Sequence, residues 1–297
     1  MRTFAHMNHR AGFVAIIGKP NVGKSTLLNA MLGEQLSVVT PKAQTTRHRI
    51  KGILNGEHYQ VVFSDTPGVL KPAYTLQERM MDAVDSSLED ADAVLLVVEC
   101  GEKKTSDEIV ERLKKNKLPL IIAINKIDLT EQEKLETAVE FWQEALAPKA
   151  IIPISAIEGF HVEELKKILV DLMPENPPYY SKEDLSDRNV RFFVSEIIRE
   201  QILHNYQKEV PYSCEVTVNE YKESTAIDRI RCEIMVDRES QKAILLGNKG
   251  SAIKQLGIQS RRKIEQFVGK QVFLELTVKV RTDWRNDPKT LDRMGYN

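Results

Sequence analysis

The sequence predicts an α/β domain, with a mostly parallel sheet, one antiparallel strand and helices on both faces, followed by a smaller α+β domain. Three observations carry this. From Phe13 to Leu172, short apolar, β-branched runs alternate with longer amphipathic segments. A segment holding Pro174, Pro177 and Pro178 interrupts that rhythm. Beyond it the order of elements changes. At 297 residues the chain is also longer than one ordinary domain, so two are expected.

In chain order the strand-like runs are Phe13–Ile17, Arg49–Leu54, Tyr59–Ser64, Ala93–Glu99, Leu120–Asn125 and Ala150–Ser155. Helical patterns lie at Lys24–Leu32, Leu76–Leu88, Thr105–Lys115, Glu131–Leu146 and Val162–Leu172. Strands alternating with helices in this way make βαβ units. Arg49–Leu54 is the exception: it runs through Asn55-Gly56 into Tyr59–Ser64, a hairpin signal that makes it antiparallel. In the second part, Val190–Asn205 reads as a helix and Cys214–Tyr221 and Ile227–Val236 as strands. Gln241–Leu246 and Ser251–Val268 read as helices and Val272–Val280 as a strand. The expected division is a first domain over 1–173, a Pro-rich linker over 174–181, and a second domain with a C-terminal tail over 182–297.

With 42% hydrophobic and 29% charged residues, the chain can bury a core, which excludes a disordered, collagenous or membrane-embedded protein. The longest apolar runs, Ala93–Val98 and Leu118–Ile124, fall far short of the roughly 20 residues a spanning helix needs. Met1 to Arg10 is polar and lacks the apolar region of a secretory signal, and either Met1 or Met7 can serve as the start. Cys100, Cys214 and Cys232 show no C-x-x-C spacing and read as reduced core thiols. The net charge of −1 hides an asymmetry: residues 181–297 carry 21 Lys/Arg against 18 Asp/Glu, and 241–270 carry seven against Glu265 alone. Such a stretch attracts a polyanion, although a solvated helix face has the same appearance.

Gly18-Lys19-Pro20-Asn21-Val22-Gly23-Lys24-Ser25 fits G-x-x-x-x-G-K-[ST] between a predicted strand and a predicted helix, the context a phosphate-binding loop requires. Gly18 and Gly23 let backbone N–H groups wrap a phosphate at the positive end of the helix dipole. Lys24 can bridge the β- and γ-phosphates, and the Ser25 hydroxyl can ligate Mg²⁺; Thr26 completes the nucleotide-contacting set here. Asp65-Thr66-Pro67-Gly68 ends a strand, where the carboxylate can hold the Mg²⁺ shell and the Gly68 N–H can sense a γ-phosphate.

Asn125-Lys126-Ile127-Asp128 also ends a strand. Asp128 can accept from guanine's N1–H and N2–H₂ together, a donor pair adenine lacks, so it argues for GTP over ATP. Lys126 would pack its stem along the base, and Asn125 would tie this loop to the phosphate loop. Ser155-Ala156 ends the last strand, where a backbone N–H can meet guanine O6. In Thr40–Arg47, a GTP-dependent switch needs a threonine that closes over Mg²⁺ and γ-phosphate. Thr45 and Thr46 both qualify, with Thr46 favoured by analogy to related Thr-Arg switches; a plain Thr-rich turn fits the local pattern equally well.

In the second domain, Gly247-Asn248-Lys249-Gly250 is a G-x-x-G loop between two predicted helices, with two strands before the pair and one after. That is the order of a type II KH module, whose loop brings backbone and a helix N-terminus against RNA phosphates. In the following helix Ile253, Leu256, Ser260, Ile264 and Phe267 form a core stripe. Lys254, Arg261 and Lys263 lie off it and join Gly247–Gly250 as candidate RNA contacts. A basic helix in a protein-binding domain is the competing reading.

Taken together, these residues resemble the translation-factor-like branch of P-loop GTPases and, more narrowly, the Era family: a GTPase domain followed by a KH-type RNA-binding domain. Gly18–Ser25, Gln44–His48, Asp65–Gly68, Asn125–Asp128 and the second domain carry the resemblance over nearly the whole chain. It implies GTP/GDP and Mg²⁺ as ligands, the 3′ end of 16S ribosomal RNA and the 30S subunit as partners, and a role in maturing that subunit. A cytoplasmic monomer is expected. Any contact with the inner face of the cell membrane would be peripheral, since no lipidation motif or strongly basic amphipathic helix is present.

Many small GTPases place a glutamine directly after the Asp-x-x-Gly glycine to orient the attacking water; here that residue is Val69, so slow intrinsic hydrolysis is expected. Among resembling GTPases with an apolar residue there, an Asn in the phosphate loop holds K⁺ at the transition state. Asn21 occupies that place, as a tolerated turn residue would. The expected catalytic set is Asn21, Lys24, Thr46 and Gly68, with Ser25, Thr46 and Asp65 on the metal. A binding module that uses GTP with negligible turnover is the rival. The short, stiff segment Pro174–Tyr180 keeps the second domain within reach of Thr40–Arg47 and Asp65–Gln77, so nucleotide and RNA binding are expected to be coupled.

Overall fold

The apolar run at Phe13–Ile17 lies within β1 (Arg10–Ile17), the strand around which the first sheet is built. The structure, a computed structural model of the chain, describes residues 9–40, 42, 44–101 and 107–296. After β1 come α1 (Lys24–Leu32), β2 (Ile50–Asn55), β3 (Tyr59–Asp65), α2 (Thr75–Glu89), β4 (Ala93–Glu99) and α3 (Asp107–Lys115). β5 (Leu120–Asn125), α4 (Gln132–Leu146), β6 (Ala150–Pro153) and α5 (Val162–Leu172) complete the alternation. The strand order is β2-β3-β1-β4-β5-β6, antiparallel at β2–β3 and parallel at the other pairings. Central strands covered on both faces need no polar side, which is why Ala93 to Val98 is buried without a break. Of the expected elements, Thr105 and Ser106 lie outside the described residues. So do Pro41 and Ala43 of the switch segment, and Met1 and Met7.

The hairpin forms, but Asn55-Gly56 is not its two-residue tip. Asn55 pairs with Gln60, and the Gly56 N–H donates to Tyr59 O at 2.9 Å. Gly56 needs no left-handed backbone. A Cβ there would lie 2.2 Å from Cε1 of Tyr59, so a larger residue would have to displace that ring.

The proline-rich segment stops α5 as expected, yet the chain after it is no free linker. The Ala11 N–H donates to Pro174 O at 3.0 Å and the Asn176 N–H to His9 O at 3.1 Å. The N–H groups of Tyr179 and Tyr180 donate to the buried Gln60 Oε1 at 2.7 and 2.9 Å, and the Ile53 N–H to Leu185 O at 2.9 Å. The chain divides into two compact units. The first comprises the residues up to Ser37, Thr46–Lys71 and Met80–Asp187, so it reaches past the expected domain end at 173 and linker end at 181. The second comprises Val38–Thr45, Pro72–Arg79 and everything from Arg188 onward.

The second unit contains α6 (Val190–Asn205), β7 (Glu215–Lys222), β8 (Asp228–Val236), α7 (Glu239–Leu246), α8 (Ser251–Val268), β9 (Val272–Val280) and α9 (Pro288–Arg293). Its sheet runs β7-β8-β9, antiparallel then parallel. Val194, Ile198, Ile202, Ile230, Ile234, Leu256 and Ile264 lie in its core. The α8 stripe is shorter than its periodicity suggests. Leu256, Ser260 and Ile264 are buried and Ile253 packs at the edge, but Phe267 is 41% exposed, its ring 5.4 Å from that of Phe193. Trp284 is fully buried and its Nε1–H donates to Ser213 O at 3.0 Å, fastening the C-terminal segment. All three cysteines are free thiols.

Candidate functional site

The six residues between the end of β1 and the start of α1 form a loop whose glycines are dictated by close approach. A Cβ on Gly18 would lie 2.2 Å from Val97 O, and one on Gly23 2.2 Å from Asn125 Nδ2. Asn21, with φ 67°, takes the left-handed conformation that Asn tolerates better than most residues. Among the described residues no side chain caps α1, whose N-terminus lies at the end of this loop. Lys24 is buried, and its Nζ donates to Gly18 O at 3.1 Å and Lys19 O at 2.8 Å.

Beside Lys24 three oxygens converge. Ser25 Oγ donates to Asp65 Oδ2 at 2.7 Å and lies 2.9 Å from Thr46 Oγ1, which is 3.4 Å from the same carboxylate oxygen. Asp65 is fully buried and its Oδ1 has no hydrogen-bond partner among the described residues. Burial pushes its carboxyl above the usual range, against the Ser25 hydrogen bond and the Lys24 charge. A buried carboxylate with an orphan oxygen beside two hydroxyls is a donor set that fits Mg²⁺. When bound there, Mg²⁺ supplies neutralising charge to the β- and γ-phosphate oxygens.

The geometry separates the two candidate switch threonines. Thr45 Oγ1 donates to Lys42 O at 2.6 Å and lies 2.8 Å from Thr40 Oγ1, within its own loop. Thr46 is the one brought to Ser25 and Asp65. The rest of the Asp65–Val69 segment is pinned to the phosphate loop. Thr66 Oγ1 donates to Ile16 O at 2.7 Å, the buried Val69 donates its N–H to Gly18 O at 3.0 Å, and a Cβ on Gly68 would lie 2.6 Å from the Pro20 nitrogen.

At the other end, the buried Asn125 ties three loops together: its Nδ2 donates to Val22 O at 2.8 Å and its Oδ1 accepts from the Ala156 N–H at 3.0 Å. The Ala156 N–H is thus engaged in loop closure. Lys126 has a left-handed backbone, reaches Asn21 O at 2.7 Å and pairs with Glu99. Asp128 is exposed, with Oδ1 accepting from Ser155 Oγ at 2.6 Å, so its carboxylate is aimed yet open to a ligand. Sequence reasoning missed Glu99; its place at the end of β4, beside the motif-bearing β5, was the available signal.

In the second unit, Gly247 and Gly250 both take positive φ, and a Cβ on Gly247 would lie 2.6 Å from the Cβ of Ala252. Asn248 and Lys249 are exposed at the start of α8, as are Lys254 and Arg261 along it. Lys263 differs from the expectation: its Nζ donates to Glu200 Oε1 of α6 at 2.8 Å, so part of its charge is spent inside the protein.

Residues 13–126 match the 50S ribosome-binding GTPase family, and residues 209–285 the KH domain family. A rice protein, "GTPase ERA-like, chloroplastic", is 46% identical over 295 residues, spanning 97% of this chain and 70% of that protein. The crystal structure of a single-residue variant of Aquifex aeolicus Era bound to GDP·AlF₄⁻ superposes with a TM-score of 0.92 at 38% identity, covering 97% of this chain and 99% of that one. An Era complex with MgGDPNP and nucleotides 1506–1542 of 16S ribosomal RNA gives a TM-score of 0.92 at 37% identity, with 97% and 99% covered. Guanine nucleotide and Mg²⁺ are the ligands for which the site is built. At this identity, sustained over nearly all of its length, the chain belongs to the Era family of GTPases.

Proposed function

We propose that this GTPase is a molecular switch that binds small-subunit (16S) ribosomal RNA near its 3′ end through the KH domain and assists maturation of the 30S subunit. The observation that carries the reading is the Ser25–Thr46–Asp65 cluster. Its threonine directly follows Val38–Thr45, a segment that belongs to the unit bearing the KH domain. A residue that responds to γ-phosphate is thereby continuous with the RNA-binding unit. The Era complex with a 16S ribosomal RNA fragment supports the choice of RNA. In this reading Lys24 offsets charge on the β- and γ-phosphates, Thr46 and Gly68 contact the γ-phosphate side, and Asp128 reads guanine. Val69 offers no polar atom to the attacking water, so the reading includes K⁺ held at Asn21.

The protein acts as a cytoplasmic monomer, with any contact at the inner face of the cell membrane peripheral. Among the described residues no helix is long and apolar enough to cross a membrane. RNA crosslinked in cells and sequenced, wild type against Lys249→Asp, tests the proposal. Enrichment of the 16S 3′ end that the variant loses is the expected result; enrichment of unrelated RNA would overturn it. The buried Val69 favours one further reading, a GTP-gated binding module with negligible turnover. Multiple-turnover phosphate release in Mg²⁺ and K⁺ separates the two.

A further inference from the structure

α6 carries a buried ion pair that the nucleotide and RNA motifs leave unused. Arg199 is 1% exposed and Glu196, one turn earlier, 4%. Arg199 Nε donates to Glu196 Oε1 at 2.9 Å, and Nη2 donates to Oε2 at 2.5 Å. The other edge of the guanidinium faces away from its helix: Nη1 donates to Gln44 O at 3.3 Å and Nη2 to Thr45 O. All four residues belong to the second unit. Burial works against the charge on Arg199, but the carboxylates of Glu196 and Glu215 outweigh it and hold the guanidinium protonated.

Burying such a pair is a poor way to gain stability, because desolvation offsets the attraction. What the pair supplies is direction. A planar fork gripped on one edge by a carboxylate presents its remaining donors at a fixed place and angle. Here that place is the carbonyls of the two residues before Thr46, whose hydroxyl lies 2.9 Å from Ser25 Oγ. Successive Cα atoms are about 3.8 Å apart, so fixing the Thr45 carbonyl fixes where Thr46 can reach. Lys42 ties the same segment to α6 a second time, donating to Leu203 O and, at 2.5 Å, to Tyr206 O at the helix's C-terminal end.

We propose that Arg199 is a positioning residue for the GTPase reaction: by holding the Gln44 and Thr45 carbonyls it sets Thr46 against Ser25, Asp65 and the γ-phosphate. The inference rests on Thr46 being the switch threonine. The test measures affinities of the full chain for a non-hydrolysable GTP analogue and for GDP, together with single-turnover hydrolysis, in Arg199→Met, Thr46→Ala and the double variant. Arg199→Met should lose about tenfold or more in analogue affinity and in hydrolysis while GDP affinity stays within about twofold. The double variant should be no worse than Thr46→Ala, because the two residues act in series. Equal losses for both nucleotides, or additive losses in the double variant, would overturn the assignment. If Thr46→Ala alone leaves the analogue-to-GDP ratio unchanged, the switch-threonine reading fails first and takes this inference with it. Should Arg199→Met fail to fold and bind no GDP, Glu196→Gln decides. It keeps the volume but loosens the grip on the fork, and should shift the ratio by about threefold or more; an unchanged ratio would overturn the proposal.

Discussion

Asn125 and Ala156 are joined by a 3.0 Å hydrogen bond from the Ala156 N–H to Asn125 Oδ1, while the same amide donates to Val22 O on the phosphate loop. One buried side chain thus holds the loops after β5 and β6 at a fixed distance from the loop between β1 and α1. Asp128 and Ser155 are carried on that frame. Their 2.6 Å hydrogen bond aims the carboxylate without covering it.

Asp128→Asn should therefore lose guanine preference, because the new amide presents a donor toward guanine's own donors. A mismatched polar contact of this kind costs about 1–3 kcal/mol. Competition of GTP against ATP in the variant measures it, and unchanged selectivity would remove Asp128 from the base site.

Gly68→Ala places a methyl where the Pro20 nitrogen lies 2.6 Å away, a backbone atom that cannot swing aside. Either Asp65–Val69 or the phosphate loop must shift. The expected outcome is hydrolysis reduced by about tenfold or more with a folded, GDP-binding protein. Stopped-flow phosphate release together with a thermal melt checks both halves.

Hydrolysis should run faster in K⁺ than in Na⁺ at equal ionic strength, and Asn21→Ala should abolish that difference while GTP still binds. Phosphate release in the two salts is the measurement. Equal rates in wild type would mean that some other group positions the water.

The basic residues of the G-x-x-G loop and α8 should not be equivalent. Lys249 is exposed in the G-x-x-G loop, so Lys249→Asp should weaken RNA binding and flatten its salt dependence by about one phosphate contact. Lys263 already serves Glu200, and Lys263→Ala should cost less RNA affinity than Lys254→Ala. Titrations of a 16S 3′-end RNA across a salt series rank the three variants.

Much of the nucleotide site is legible in the sequence because it demands particular residue types at strand and helix ends. Gly18 and Gly23 face atoms that crowd any Cβ, and the Ser25 hydroxyl needs an acceptor such as the Asp65 carboxylate. The return path of Pro174–Asp187 was not legible, since it is held largely through backbone groups, such as the Tyr179 and Tyr180 N–H bonds to Gln60, that leave little mark on residue type. Arg199 was hidden for a related reason. A charged residue on an amphipathic helix reads as solvent-facing, and two of its partners are carbonyls of residues 44 and 45. Phe267 misled because periodicity predicts a face of the helix, not how far along that face the core extends.

The division of the chain also bears on how such a protein can be taken apart. The polypeptide passes between its two units at Ser37–Val38, Thr45–Thr46, Lys71–Pro72, Arg79–Met80 and Asp187–Arg188. A stop codon after Asp187 would therefore leave Val38–Thr45 and Pro72–Arg79 without the rest of their unit. It would strip Thr75 of the Asn286 side chain that accepts its N–H at 3.2 Å, and Arg79 of Asp292, also at 3.2 Å. Gene fusion or recombination at that one seam would join a catalytic module to loops that had lost their bedding. The two folds are interlaced in the primary structure.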